Sequence, residues 1–499
     1  MHVMKWLFFW MLAVSCSVPL DGKLPGEEVL PGEETLPVVV IPPVEEPQPT
    51  VLTQQMVDAV RDSLVISRDL SLEGAEIVLP KDLTLVFRGG SLDGGTLVGN
   101  GCRLRVLQET PLFGLSLRIS GVWDVPEVFD WWFSFDATEG AVSNQIIKNA
   151  LAFSNDSTFC HIWFDADRVY YFELPYKGRA DLGEMISYRM VDGKKKRNYY
   201  ELGMDAYSFL RIFTIPSNTH LTVNNQLKML PTSVGAYYVF WEFGKEKVTV
   251  DGHGTIAGDN DWHRFDSPMS GKTYYGEWGH LFKCVRCSDF VFKDITLADS
   301  FGDCIMYSGS YYPDDTGERW ASGLSVENVK ILRARRNGMS IGARNVVIRN
   351  CHFEGCGSKQ IRGTAPRSAI DFEPDYVRKY PETGNQDVLM EKCTFKDNHF
   401  DVASYMNNMW GYGKVATVVR DCVFASPLKI QGTFWMLFEN CYIPFVWNSK
   451  DSERSVMLFS RHMEFVNCEF AVYDTSIFKD VKYISNKYRN CKFNTAVKQ

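Results

Sequence analysis

Beyond its first sixteen residues the chain has no run approaching about 18 uninterrupted apolar residues, which excludes a later membrane-spanning helix. It also lacks any excess of positive charge. The formal net charge is −8 over 499 residues. Much of it sits in residues 17–50, where Asp21, Glu27, Glu28, Glu33, Glu34, Glu45 and Glu46 face Lys23 alone. The remaining body is near neutral, so nothing calls for a nucleic acid as partner. An anionic substrate would have to be met by local basic groups rather than by a global field. The aromatic share is 14%, too high for a disordered chain and suited to a sugar-handling surface. Finally, Cys284-x-x-Cys287 has neither a second such pair nor a nearby pair of histidines, and so reads as core rather than half of a zinc site.

What is present begins with an export signal. Lys5 precedes an apolar run from Trp6 to Val14 that is too short for a mature spanning helix. The run ends in Leu12-Ala13-Val14-Ser15-Cys16, which resembles the lipobox of bacterial lipoproteins. That resemblance implies a signal peptide over 1–16 and lipidation of Cys16. An ordinary cleaved signal peptide is the other reading. Residues 17–50 repeat LPGEEV as LPGEET and continue through VVVIPPVEEPQP. Proline removes amide donors and the glutamates repel one another, so this stretch is expected to stay extended as a spacer. The expectation is a monomer displayed at the cell surface, anchored in the outer membrane of a Gram-negative bacterium.

The body carries an internal repeat. A segment of the form apolar-x-apolar-x-(Asn/Asp/Lys)-Cys-x-apolar recurs as VVIRNCHF, VLMEKCTF, TVVRDCVF, MLFENCYI, MEFVNCEF and SNKYRNCKF. FVFKDITL and SVENVKIL carry Ile or Val in the cysteine slot. The cysteines at 351, 393, 422, 441, 468 and 491 are 42, 29, 19, 27 and 23 residues apart. Most steps approximate one turn of a solenoid, and the first implies an insertion. Alternation puts Ile348, Cys351 and Phe353 inside and Arg349 and His352 outside. A single short strand cannot bury its face alone, so the copies must stack into a parallel β-helix with an internal cysteine ladder. Inward thiols one rung apart behave as small apolar groups rather than as disulfides.

Residues 51–135, with Gly-Gly turns between alternating strands, read as a β cap or as first rungs, and 136–499 as the β-helix domain. The spacing of Val142, Ile146, Ala150 and Phe153 predicts a short helix over 141–153.

From Asp136 onward the order of features resembles the pectate-lyase and polygalacturonase superfamily of right-handed parallel β-helices. The counterparts are DATEGAVSNQIIKNAL, HIWFDADRVYYF, IPSNTHLTV, VTVDGHGTIAGD, FKDITLADSFGDCI, RRNGMSIGARNVVIRNCHFEGCG and GTAPRSAIDFEPD. The likeness covers roughly 120–495 and implies an all-β solenoid acting on carbohydrate. The chain departs from the polygalacturonase pattern: SFGDCI offers Asp303 without a paired aspartate, and neither Gly-His-Gly nor Arg-x-Lys follows.

Aligning successive rungs places Ile305, Met339, Ile370, Phe400 and Leu428 in one inward column. Beside it fall a column of Asp303, Asn337, Ser368 and His399, and an outward one of Met306, Ser340, Asp371, Asp401 and Lys429. Glu373 and Gln431 are assigned to a third. A lyase acting on uronic-acid sugars needs a base beside C5 and a cation on the carboxylate. His399 or Lys429 is the candidate base, and Arg336, Arg362 or Arg367 the clamp. Asp371, Glu373 and Asp401 could instead hold Ca²⁺, the one cofactor considered. A hydrolase needs two carboxyl groups flanking the bond, for which Asp371 with Glu373, Asp303 or Asp401 are candidates. Asn337 would contact substrate, and Trp278 and Trp410 would stack on sugars, whereas Trp131-Trp132 reads as structural. The run Lys194–Arg197 reads as an exposed loop. The leading expectation is a polysaccharide lyase cleaving a uronate-containing glycosaminoglycan or pectin-like chain by β-elimination. A glycoside hydrolase and a non-catalytic glycan-binding surface protein are the alternatives.

Overall fold

Short alternating strands separated by one- or two-residue turns have one way to bury their apolar faces, which is to stack rung on rung. The computed structural model describes residues 50–174, 188–191, 194–197, 211–232, 237–263, 278–309, 320–357, 365–374, 385–405, 413–444, 456–458, 462–471 and 486–494. The signal segment with Cys16, residues 17–49 of the spacer, Arg362 and Trp410 lie outside them. Pro49–Gln499 forms one compact unit.

Each rung visits three parallel sheets in turn. One rung runs Glu246–Asp251, Thr255–Ala257 and His280–Val285, and the next Ser288–Lys293, Thr296–Ala298 and Ile305–Ser308. Each strand pairs in parallel with its successor. Among the described residues the first, second and third sheets hold twelve, seven and nine strands. The second sheet resumes beyond residue 396 as bridges through Val423 to Tyr442. The protein is a right-handed parallel β-helix, with the hand that parallel crossovers take.

The repeat's polar residue before cysteine now has a cause. Asn350, Lys392, Asp421, Asn440, Asn467 and Asn490 all sit at φ between 52° and 54°. That single left-handed residue turns the chain from first sheet to second, and Asn and Asp tolerate it best after glycine. The following cysteine points inward, and its thiol donates to strand-end carbonyls. Cys441 Sγ reaches the Val419 and Glu439 carbonyls at 3.5 and 3.3 Å, and Cys351 Sγ the Val326 and Arg349 carbonyls at 3.4 and 3.3 Å. The described cysteines are free thiols, all buried except the half-buried Cys491. Behind them Phe353, Phe395 and Phe424 stack at 5.3 and 5.0 Å.

The outer face of the first sheet carries a second ladder. Asp251, Lys293, Glu327, Arg349, Glu391, Arg420 and Glu439 succeed one another in register, alternating in sign. Arg420 Nε donates to Glu439 at 2.7 Å. Opposite charges on adjacent strands attract, and a one-position slip would oppose apolar and charged side chains.

Residues 51–135 turn out to be rungs. Ser63–Ile66, Thr84–Phe87 and the end of Gly95–Val106 pair in parallel, and Glu127–Phe129 pairs with Cys160–Phe164 as the outermost described strand of the first sheet. The helix spans Asn144–Ala152, with Ile146, Ile147, Ala150 and Leu151 buried. Val142 lies before it, 48% exposed and bridged to Tyr171, so it does not share the helical face. Asn149 instead faces inward and serves the edge of Leu117–Trp123, accepting from Ile119 N at 3.0 Å and donating to the Leu117 carbonyl at 2.8 Å. Lys194–Arg197 is a strand paired antiparallel with Tyr188–Val191 rather than a loop.

The turn predicts an inversion of ordinary strand preference at Lys392. Lys392→Gly is expected to be more stable than Lys392→Val by about 1–2 kcal/mol, the cost of a left-handed conformation for a side-chain-bearing residue, measured by urea unfolding. Equal stability would contradict the turn.

Candidate functional site

The third sheet differs from the first in one respect. First-sheet strands alternate between buried and half-buried positions, whereas Met339–Gly342 and Ser368–Phe372 are buried on both faces. Polar groups on its outer face are therefore withdrawn from bulk water. The connections that interrupt the repeat, 355–367 and 373–385, enter and leave at the two ends of Ser368–Phe372.

The register corrects the expected columns. Ile305, Met339 and Ile370 do succeed one another, but the next members are Val402 and Leu428, because Ser368 rather than Ile370 lies opposite Phe400. The slip is two positions, so inside and outside are preserved. The outward column reads Met306, Ser340, Asp371, Ala403 and Lys429. Asp401 is displaced from it. Its Oδ2 accepts from the backbone N–H groups of Ala425 and Ser426, both at 2.6 Å, and its Oδ1 from Asn398 Nδ2 at 3.0 Å. Burial raises its pKa to about 6. Asp401 closes a turn and cannot join Asp371 and Glu373 around calcium. Among the described residues no group of three His, Cys, Asp or Glu side chains is placed to hold a metal ion.

Asp303, Asn337 and Ser368 form a buried polar ladder at the strand entrances. Asp303 Oδ1 accepts from Asn337 N at 3.1 Å, and Asn337 Oδ1 from Ser368 N at 2.9 Å. The other Asp303 oxygen accepts from Arg336 Nη1 and Ser340 Oγ, each at 2.7 Å. Burial raises the Asp303 pKa against the opposing pull of Arg336. Asp303 thus holds the Arg336 guanidinium, while Asn337 Nδ2 donates to Ser340 Oγ at 3.0 Å. His280 Nδ1 accepts from Asp303 N at 2.9 Å, and burial, with Lys283, Arg336 and Arg335 nearby, pushes its pKa well below the usual histidine range. The glycine of SFGDCI is required here: a Cβ on Gly302 would lie 2.7 Å from His280 Nδ1 and 2.9 Å from the Trp278 carbonyl carbon.

Arg336 reaches from Asp303 toward Glu373, whose Oε2 is 3.9 Å from its Nη2. Glu373 is 42% exposed, and Asp371 beside it is completely buried. Neither oxygen of Asp371 has a hydrogen-bond partner among the described residues. Burial first, then the adjacent Glu373 carboxyl, drives its pKa well above the usual range despite Arg336. Desolvation and a like charge both disfavour the anion, so Asp371 is biased toward its protonated form. Lys429 stands two rungs along the same column, its Nζ 5.7 Å from the Phe400 ring centre.

His399 stands apart from this group. Its Nε2 lies 2.8 Å from Arg367 Nη2, so the nitrogen a base would use accepts from a guanidinium. Arg367 is thereby tied to the neighbouring rung that carries His399. Trp278, half-buried, is at the entrance to the third sheet. The buried pairing of Asp259 with Tyr237 and with His263, the latter at 2.7 Å, was not anticipated from sequence. No motif marks it, since Tyr237 lies 22 residues before Asp259.

No family model matches the chain. A stretch of 207 residues is 30% identical to uncharacterized protein YclG of Bacillus subtilis (strain 168), covering 40% of this chain and 33% of that one, so the match spans about a third of the relative. Among solved structures, the polygalacturonase of Erwinia carotovora ssp. carotovora is 11% identical, with 73% of this chain and 96% of that one covered at a TM-score of 0.38. A tailspike protein of E. coli bacteriophage HK620, determined with a pentasaccharide, is 12% identical over 69% and 62%, at 0.41. The Streptococcus pneumoniae surface protein and adhesin PfbA is 10% identical over 88% and 94%, at 0.32.

Asp371 also leaves a thermodynamic signature. Its folded pKa lies above the unfolded value of about 4, so above that pH the unfolded chain releases this proton first and folding loses stability. Asp371→Asn is expected to raise the melting temperature at pH 7 by about 1 °C or more and to leave it unchanged near pH 3. Scanning calorimetry at the two pH values reads this. An unchanged or lowered melting temperature at pH 7 would contradict a buried, protonated Asp371.

Proposed function

We propose that this protein cleaves glycosidic bonds of a polysaccharide on the outer face of its third sheet, by hydrolysis. The observation that carries the reading is Asp371, a fully buried acid biased toward its protonated form, beside the half-exposed carboxyl of Glu373. A glycosidase needs two carboxyl groups with pKa values pushed apart, one to protonate the leaving oxygen and one to activate water or attack carbon. Buried Asp371 is suited to the donor's role, and Glu373, nearer solvent and facing Arg336, to that of base or nucleophile. Arg336, oriented by Asp303 and Ser340, would hold an acidic group of the sugar bidentately. The coil alone decides little, since one fold carries many unrelated functions.

Elimination is the second reading, and Lys429 favours it. A lysine in the same outward column could abstract the proton at C5 of a uronate whose carboxylate rests on Arg336. Export, lipidation at Cys16 and display of a monomer at the outer membrane surface complete the proposal. Lipid labelling of the native chain, lost in Cys16→Ser, tests the anchor.

The activity is tested with chondroitin sulfate and polygalacturonate, following reducing ends and absorbance near 232 nm together. Hydrolysis predicts new reducing ends without absorbance, and a loss of about 10²-fold or more in Asp371→Asn and Glu373→Gln. Rising absorbance that depends on Lys429 would replace hydrolysis by elimination. Binding without product, unchanged in Asp371→Asn, would make the protein a glycan-binding surface protein.

A further inference from the structure

The first rungs contain a cavity that the proposed reaction does not use. After Phe133, which bridges to Phe113, the chain returns to parallel pairing at Val142, opposite Tyr171. The intervening residues arch over the outer side of Val169–Phe172, the first strand of the second sheet. An open cavity of about 620 Å³ results, within the usual range for small-ligand sites.

Its lining combines two chemistries. Trp131, Phe135 and Tyr171 present aromatic surface, while Glu139, Asp167 and Arg168 supply polar groups. Arg168 is held over the Phe135 ring, its Cζ 4.6 Å from the centre. Trp131 thus separates from Trp132: Trp132 is 5% exposed and belongs to the core, whereas Trp131 faces the cavity. An apolar ligand would cover Glu139, Asp167 and Arg168 without pairing them, at a desolvation cost. An anion would meet two carboxylates against one guanidinium. A neutral polyhydroxylated ring satisfies both chemistries, with its C–H face on the aromatic rings and its hydroxyls on the carboxylates and guanidinium.

The geometry points to a second saccharide-binding site, for neutral sugar units, that binds without cleaving. The choice of a sugar rests on the polysaccharide reading given above. The second-sheet strand at this cavity lies five rungs from His352–Glu354, the strand that precedes Asp371. At about 4.8 Å per rung this is roughly 24 Å along the coil. The cavity therefore cannot be a subsite immediately adjoining the scissile bond. It would retain a long chain while the third sheet acts on another part of it.

The test uses the full chain carrying Asp371→Asn, titrated by saturation-transfer NMR with cellobiose, lactose and N,N′-diacetylchitobiose. At least one is expected to bind at millimolar concentration, with the signal reduced at least tenfold by the added pair Glu139→Ala and Asp167→Ala. Both residues are exposed, so the pair should fold normally; Trp131→Phe, which keeps the packing, provides a second variant with weakened binding. Arg336→Ala should leave this binding intact. Absence of binding by all three sugars, or binding that survives the cavity substitutions and disappears in Arg336→Ala, would overturn the inference. Failure of the cleavage reading is seen separately, as no product from the unsubstituted protein while cavity binding persists.

Discussion

One backbone constraint underlies this protein. From Asp294 to Asn490, each described rung passes from first sheet to second through a single residue held in the left-handed region, and the following side chain must fill the corner. Where the turn is kept, as at Asn350, Lys392, Asp421 and Asn440, successive strands arrive in the same register and their phenylalanines stack. Cysteine suits the corner because its thiol fills the space and also donates weakly to strand-end carbonyls. Ile295 and Val329 occupy the same corner by volume alone, both buried.

With the corner fixed, the three faces are free to differ. The first sheet spends its outer face on charges of alternating sign, which guard the register. The third has few such charges and instead gathers buried polar groups where the repeat is interrupted. Asp303 orders Arg336, and Arg336 faces Glu373 beside a fully buried Asp371. Burying an unpaired carboxyl costs stability, and an arrangement costly to folding yet suited to proton transfer is what an active site commonly contains.

The coil was legible in the sequence because its period is written in residue types that physics restricts: apolar alternation, a left-handed turn residue and a small inward thiol. Interruption of the repeat around residues 356–386 also drew attention to Ser368–Phe372, the strand of the third sheet that is buried on both faces. Individual roles were less legible. Asp401 stood in the expected column until the two-position shift opposite Phe400 sent it to cap a turn. His399 looked available until its ring met Arg367. Both placements come from contacts between rungs, which local spacing does not encode. Asp371 was identifiable as an acid beside an insertion, but its protonation depends on burial that only the assembled third sheet creates.

The central claim is that substrate lies on the outer face of the third sheet over Asp371 and Glu373. Hydrogen exchange of the Asp371→Asn protein, with and without the polysaccharide that the native protein cleaves, tests it most directly. The account predicts added protection in Met339–Gly342, Ser368–Phe372 and Leu428–Gln431, with first-sheet strands such as Ser322–Glu327 and Arg344–Arg349 unchanged. Protection confined to the first sheet, with the third unaffected, would contradict it.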